Sequence, residues 1–249
     1  MLSTLPTPAI IAHRGYCTLA PENTLSAFDL AIRHNADGIE LDAKLSKDGR
    51  VVVIHDLTVG RTTNFRGPVK SFTLKELQSM DAGSHFDQKF KGEKIPSLDV
   101  VLKEFGDKTF LNIELTNYSH PLNNLPHIVA QMLLSEGLIH NILISSFNPI
   151  ALYRIHRILP DVSLGFLILS GKKGLLARII ANFLVPFDSL NMEVNDVSKD
   201  IVNGLHSKKK KLFVYTVNRA DDIRKMIMYG VDGIITDDPP LVRQILQDN

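Results

Sequence analysis

Disulfides cannot organise this chain, because Cys17 is the only cysteine in 249 residues. A chain of this length can bury a substantial core without them. One unpaired thiol fits a reducing compartment. An excess of one charge is also missing: 28 Lys and Arg against 27 Asp and Glu leave a net +1. That balance removes the electrostatic basis for broad attraction to nucleic acid or anionic membrane. No apolar run is long enough to span a bilayer, so stable membrane insertion is not expected. The N-terminal MLSTLPTPAII lacks the positive start of a secretory signal. These absences lead to the expectation of a soluble, cytoplasmic protein. One stretch, KKGLLARIIANFLVPF (172–187), could lie on a membrane surface, but its few polar positions read better as a helix packed on a core.

What is present is a regular alternation. Short apolar runs stand at 9–13, 38–43, 51–55, 110–115, 142–147, 163–169, 189–194, 212–217 and 233–237. Most are separated by helical patterns with recognisable ends, such as Ser198 before DIVNGLH and the glycines 137 and 230. Near-continuous apolar strands alternating with helices predict an α/β fold with a parallel sheet and helices outside. At this length and count, a single closed (β/α)8 TIM barrel over residues 1–249 is the leading architecture. A doubly wound open sheet is second.

Nine candidate strands exceed the eight barrel places. Residues 38–55 hold two strands with no room for a crossover helix, and Asp48-Gly49 between them is a hairpin signal. Taking Asp48 and Gly49 as the two loop residues pairs Lys47 with Arg50 and sets Asp42 opposite His55. Residues 56–97 are polar and turn-rich, with one short helix around TLKELQSM. They read as a small inserted subdomain after the His55 strand, lying over the barrel mouth.

The chemistry concentrates at strand ends. Glu40 and Asp42 sit at i and i+2, so they share one face of an apolar strand. Glu114 repeats this pattern in FLNIEL. Buried carboxylates are costly without compensation, and three of them facing one interior suit a hard divalent cation, Mg2+ or Ca2+. His13 ends the first strand and His55 the hairpin strand. Two imidazoles beside such a centre suit general acid–base work. Arg14 offers a planar fork to an anion, and Gly15 lets backbone approach closely. Together they suggest phosphoryl transfer or phosphoester cleavage.

His13-Arg14-Gly15, Pro21–Thr24 with Ala27-Phe28, IELDAKLSKDG, VVVIHD, NIEL and GVDGIITDDP resemble the glycerophosphodiester phosphodiesterase family over residues 10 to 240. The resemblance implies a phospholipase C-like TIM barrel that hydrolyses glycerophosphodiesters to sn-glycerol 3-phosphate and an alcohol. By motif position it makes Glu40, Asp42 and Glu114 metal ligands, His13 and His55 the acid–base pair, and Arg14 the phosphate contact. It also implies attack by a neighbouring glycerol hydroxyl, with water opening the cyclic product.

Two departures stand out. The family usually has a phosphate-contacting lysine after NIEL; here the residue is Thr116. The family's WTVN is Tyr215-Thr216-Val217-Asn218, in which Tyr215 could still wall a glycerol pocket. Lys44 projects from the same face as Asp42, one step nearer the mouth, and could supply the missing ammonium. A lysophospholipase D-like activity on the same residues, or a barrel that binds glycerophosphodiesters without turnover, are the other readings. The complete set of carboxylates and histidines argues against the second.

Overall fold

A computed structural model of the chain describes residues 2–171 and 186–248. All nine strands form: β1 (Ala9–His13), β2 (Gly38–Leu45), β3 (Val51–Val53), β4 (Phe110–Leu115) and β5 (Ile142–Ser146), then β6 (Ser163–Ile168), β7 (Ser189–Glu193), β8 (Lys211–Tyr215) and β9 (Gly233–Thr236). Every strand but β3 pairs in parallel, in the ring order β1, β2, β4, β5, β6, β7, β8, β9, and β9 returns to β1. That last pairing decides between the two architectures. The sheet is a closed eight-stranded barrel with helices between strands.

The ninth strand is the hairpin partner. β3 runs antiparallel to β2 and has no place in the ring. Its register differs by one residue from the two-residue-loop expectation, with Leu45 opposite Val51 and Ala43 opposite Val53. Ser46 therefore pairs with Arg50, and the loop has three residues. Gly49 at φ +72° closes a turn in which its N–H reaches the Ser46 carbonyl, while the Arg50 N–H reaches Ser46 Oγ. A left-handed third residue is what a three-residue hairpin loop requires. Consequently Ile54, not His55, bonds to Asp42: its N–H meets the Asp42 carbonyl at 3.0 Å.

Helices start and stop where local chemistry permits. Thr24 caps the helix at 25–33 by accepting the Ala27 N–H, and Ser198 caps 199–206 by accepting that of Ile201. The helices at 125–136 and 220–229 end at Gly137 and Gly230. Outside the barrel, the strand faces carrying Leu41, Ile113 and Ile144 pack on helix residues such as Phe28, Val129 and Leu152. The expected helix over 172–187 lies outside the described residues except for its last two. Among the described residues no helix is long and apolar enough to cross a membrane.

Inside the barrel, polarity changes with height. Ala9, Ile11, Phe110, Leu143, Phe213 and Ile235 form an apolar plug towards the strand starts. Above it Asn112, Ser145 and Asn191 are buried, each with one polar atom lacking a hydrogen-bond partner. At the floor, Asp37, Asp188 and Asp232 each immediately precede a strand. Each accepts a backbone N–H from the neighbouring strand: Ile10 at 2.8 Å, Leu164 at 2.8 Å and Leu212 at 2.9 Å. These links hold the registers on which the upper, polar end depends.

Residues 56–97 contain one short α-helix, Leu74–Gln78, and 3-10 turns at Val69–Ser71 and Gln88–Phe90. Val59, Val69, Leu77, Met80 and Ile95 pack with Val52 and Ile54 of the hairpin as a separate apolar cluster. The segment thus has a small core of its own, anchored on β3.

Candidate active site

Strand register assembles the site. His13 lies opposite Glu40 across β1 and β2, and Asp42 lies opposite Glu114 across β2 and β4. Glu40, Asp42 and Glu114 each bring an oxygen within 4.8 Å of the others. Glu40 and Asp42 are buried, while Glu114 keeps part of its surface open. Burial, then the charges of Asp42 and Glu114, push the Glu40 carboxyl well above its ordinary range. Burial and the Asp42 charge push Glu114 up to about 8. Three converging carboxylates at such potential, with oxygen as the only donor atom, fit a hard divalent cation.

Nearby cations offset only part of this charge. The Arg14 N–H donates to Glu40 Oε2 at 3.0 Å, and Asn23 Nδ2 donates to Asp42 Oδ2 at 2.9 Å. Arg14 Nε lies 3.3 Å from Asp42 Oδ2 without forming a hydrogen bond, and its NH1 pairs with Glu22 at 2.9 Å. Burial would lower the Arg14 pKa, but Asp42, Glu40 and Glu22 hold it above the ordinary value. Gly15 at φ +83° follows, and a Cβ there would come within 2.7 Å of the Ala27 backbone. The close approach expected of this glycine is therefore to the first helix.

Each histidine is bound to an aspartate that the site reading from sequence did not include. His13 Nδ1 meets Asp237 Oδ1 at 2.6 Å, and Asn218 Nδ2 holds the other Asp237 oxygen at 2.6 Å. His55 Nδ1 meets Asp56 Oδ1 at 2.7 Å, not Asp42. Arg61, from the 56–97 segment, donates to both Asp56 oxygens and to both Glu22 oxygens. Burial alone would raise Glu22, yet Arg61 and Arg14 hold it below the usual carboxylate value. One chain of hydrogen bonds thereby links His55 to Arg14. Asp56 was legible in principle as the neighbour of His55, whereas Asp237 lies 224 positions from its histidine.

Cys17 Sγ donates to Asp237 Oδ1 at 3.2 Å. Burial, then the Asp237 charge, push this thiol far up, which favours its protonated form over the nucleophilic thiolate.

Lys44 is buried, and its Nζ donates to Thr116 Oγ1 at 2.7 Å. The lysine on β2 and the threonine after β4 therefore meet in space. The Lys44 ammonium also lies 6.0 Å from the centre of the Tyr118 ring. The Tyr215 hydroxyl is spent on the Ile168 carbonyl at 2.7 Å, and its ring stands edge-on to Phe147. Tyr215 thus has its hydroxyl proton committed, which leaves its ring and the oxygen's acceptor lone pairs for any ligand.

The model of the glycerophosphoryl diester phosphodiesterase family matches residues 13–241. The chain belongs to that family. It is 42% identical to a glycerophosphodiester phosphodiesterase of Caldanaerobacter subterraneus over 92% of this chain and 94% of that one. With a glycerophosphodiester phosphodiesterase of Bacillus altitudinis it shares 35% identity over 96% and 98% of the two chains. Among solved structures, an Oleispira antarctica phosphodiesterase in complex with the product sn-glycerol-3-phosphate superposes with a TM-score of 0.87. That pair is 27% identical and covers 98% of both chains. The fold is shared with that structure, and the span matched by the family model takes in every candidate residue discussed above.

Proposed function

We propose that this chain is a phosphodiesterase that hydrolyses glycerophosphodiesters to sn-glycerol 3-phosphate and an alcohol. The observation that carries this reading is the convergence of Glu40, Asp42 and Glu114 beside His13, in a chain of this family. The three carboxylates would hold Mg2+ or Ca2+, and a bound ion would supply Lewis-acid charge for the phosphoryl oxygens.

The chain's own groups account for the proton movements. Asp237 and Asp56 engage the Nδ1 atoms, which leaves Nε2 of each ring for proton transfer. In the first half-reaction one imidazole takes the proton of the attacking glycerol hydroxyl, and the other gives a proton to the departing alcohol oxygen. In the second half the roles exchange while water opens the cyclic diester. Arg14 turns its guanidinium to the phosphate, with Glu22 setting its orientation. Tyr215 offers its ring to the glycerol carbons. The inserted segment, through Arg61, fixes the mouth on the His55 side.

Lys44 supplies the second cation in this reading. The buried Lys44 ammonium donates only to a hydroxyl and a carbonyl, and the charges of Asp42, Glu114 and Asp56 offset only part of its burial cost, which packing does not require at a strand end. Lys44→Ala is expected to lower kcat/KM by about 10- to 100-fold, the scale of a charge-assisted hydrogen bond. Thr116→Lys in that background should restore part of the loss, because the two side chains reach the same point. An unchanged kcat/KM at low ionic strength would remove Lys44 from the site.

The direct test is release of glycerol 3-phosphate from glycerophosphoglycerol and glycerophosphocholine, with Mg2+, with Ca2+ and with chelator. Release that needs the cation is expected. Full rate in chelator would sink the cation, and no release from either substrate would sink hydrolysis.

A further inference from the structure

A crevice of about 350 Å³ opens beside the carboxylate cluster. Its inner wall is Lys44 and Thr116, each two positions beyond a member of that cluster on the same strand face, or about 7 Å along it. Its outer wall comes from the inserted segment, through Leu57, Thr58 and Lys70, and from Ser119 and His120 after β4. Among the described residues two lysines line it. Among those residues no carboxylate does, and apart from the imidazole of His120 no aromatic ring does either.

Ammonium headgroups are recognised by aromatic faces or by carboxylates. Beyond the Glu40, Asp42 and Glu114 cluster, the groups of this kind on the chain segments flanking the crevice have partners of their own. Lys44 sits over the Tyr118 ring, Asp48 accepts from Ser46 and from the Leu74 N–H, and Asp56 is held by His55 and Arg61. What the crevice presents instead is hydrogen-bonding capacity. Thr58 and Ser119 bring hydroxyls, and Lys70 Nζ, 3.4 Å from His120 Nε2, retains protons to donate.

We propose that this crevice receives the departing alcohol and selects hydroxyl-rich headgroups that are neutral or anionic, such as glycerol or inositol, over choline or ethanolamine. The proposal rests on the hydrolase reading above, and adds to it which alcohol is accepted. Lys44 neutralises the diester from its inner end, while Lys70 repels a cationic headgroup and donates to a hydroxyl one.

Initial rates on glycerophosphoinositol and glycerophosphocholine at low ionic strength test it, where charge effects are largest. Wild type is expected to favour the inositol diester in kcat/KM by about 10-fold or more. Lys70→Glu places a carboxylate at an exposed position, so folding is not at risk, and it should narrow that ratio by about 10-fold. Equal rates in wild type, a preference for choline, or a ratio unmoved by Lys70→Glu would each overturn the proposal. If neither diester is turned over, hydrolysis itself has failed, and calorimetric binding of the same two compounds decides the crevice. Tighter binding of the inositol diester supports the assignment, and equal binding overturns it.

Discussion

Glu114→Gln is expected to reduce turnover by on the order of 10³-fold, and Glu40→Gln comparably, because each would replace a charged carboxylate of the proposed ion site by a neutral amide. A distinctive second readout is stability without added cation. The folded-state pKa of Glu114, about 8, lies above its ordinary 4.5, so the folded state binds more protons between those values. The stability that Glu114 itself contributes to the cation-free protein is therefore fully present below about pH 4.5 and is lost as pH rises through about 8. Adding Mg2+ or Ca2+ at pH 8 should restore the melting temperature. Glu114→Gln should flatten the cation-free pH dependence and blunt the response to the ion. A wild-type Tm that ignores both pH and cation would remove the metal assignment.

His13→Ala and His55→Ala should each lower kcat by about 10²-fold or more, the usual contribution of a general acid or base. Cation-induced stabilisation should persist in both, since neither ring belongs to the carboxylate cluster. Asp237→Asn provides the finer probe. It keeps an oxygen for Nδ1 but loses the charge and the tautomer preference, so Asp237 acts as a positioning residue for His13. A fall in kcat with KM unchanged is the expected result. A rise in KM alone would place Asp237 in substrate binding instead. Loss of the cation response in His13→Ala would move that imidazole into the ion's cage.

Much of the barrel was readable from order and period alone. Strand–helix alternation, the caps at Ser198 and Gly230, and the same-face spacing of Glu40 with Asp42 are local properties, set within a few residues by backbone geometry. The hairpin was legible for the same reason. Its register was not, because Ser46 hydrogen bonds and the left-handed Gly49 select a three-residue loop over the two-residue one that Asp-Gly suggests.

By itself, then, the sequence determined the nine strands, the strand–helix alternation that made a closed barrel the leading architecture, and which charged side chains face inward. Tertiary structure decided who meets whom. Asp42 faces Glu114 because β2 and β4 pair at one register, and a slip of one residue would turn Glu114 to the helix side. Asp237 reaches His13 only because β9 closes the ring on β1. Lys44 touches Thr116 across 72 positions, and Arg61 joins Glu22 to Asp56 from within an insertion. Such contacts carry no local periodicity. They arise from ring closure and strand register, which depend on the packing of the whole barrel.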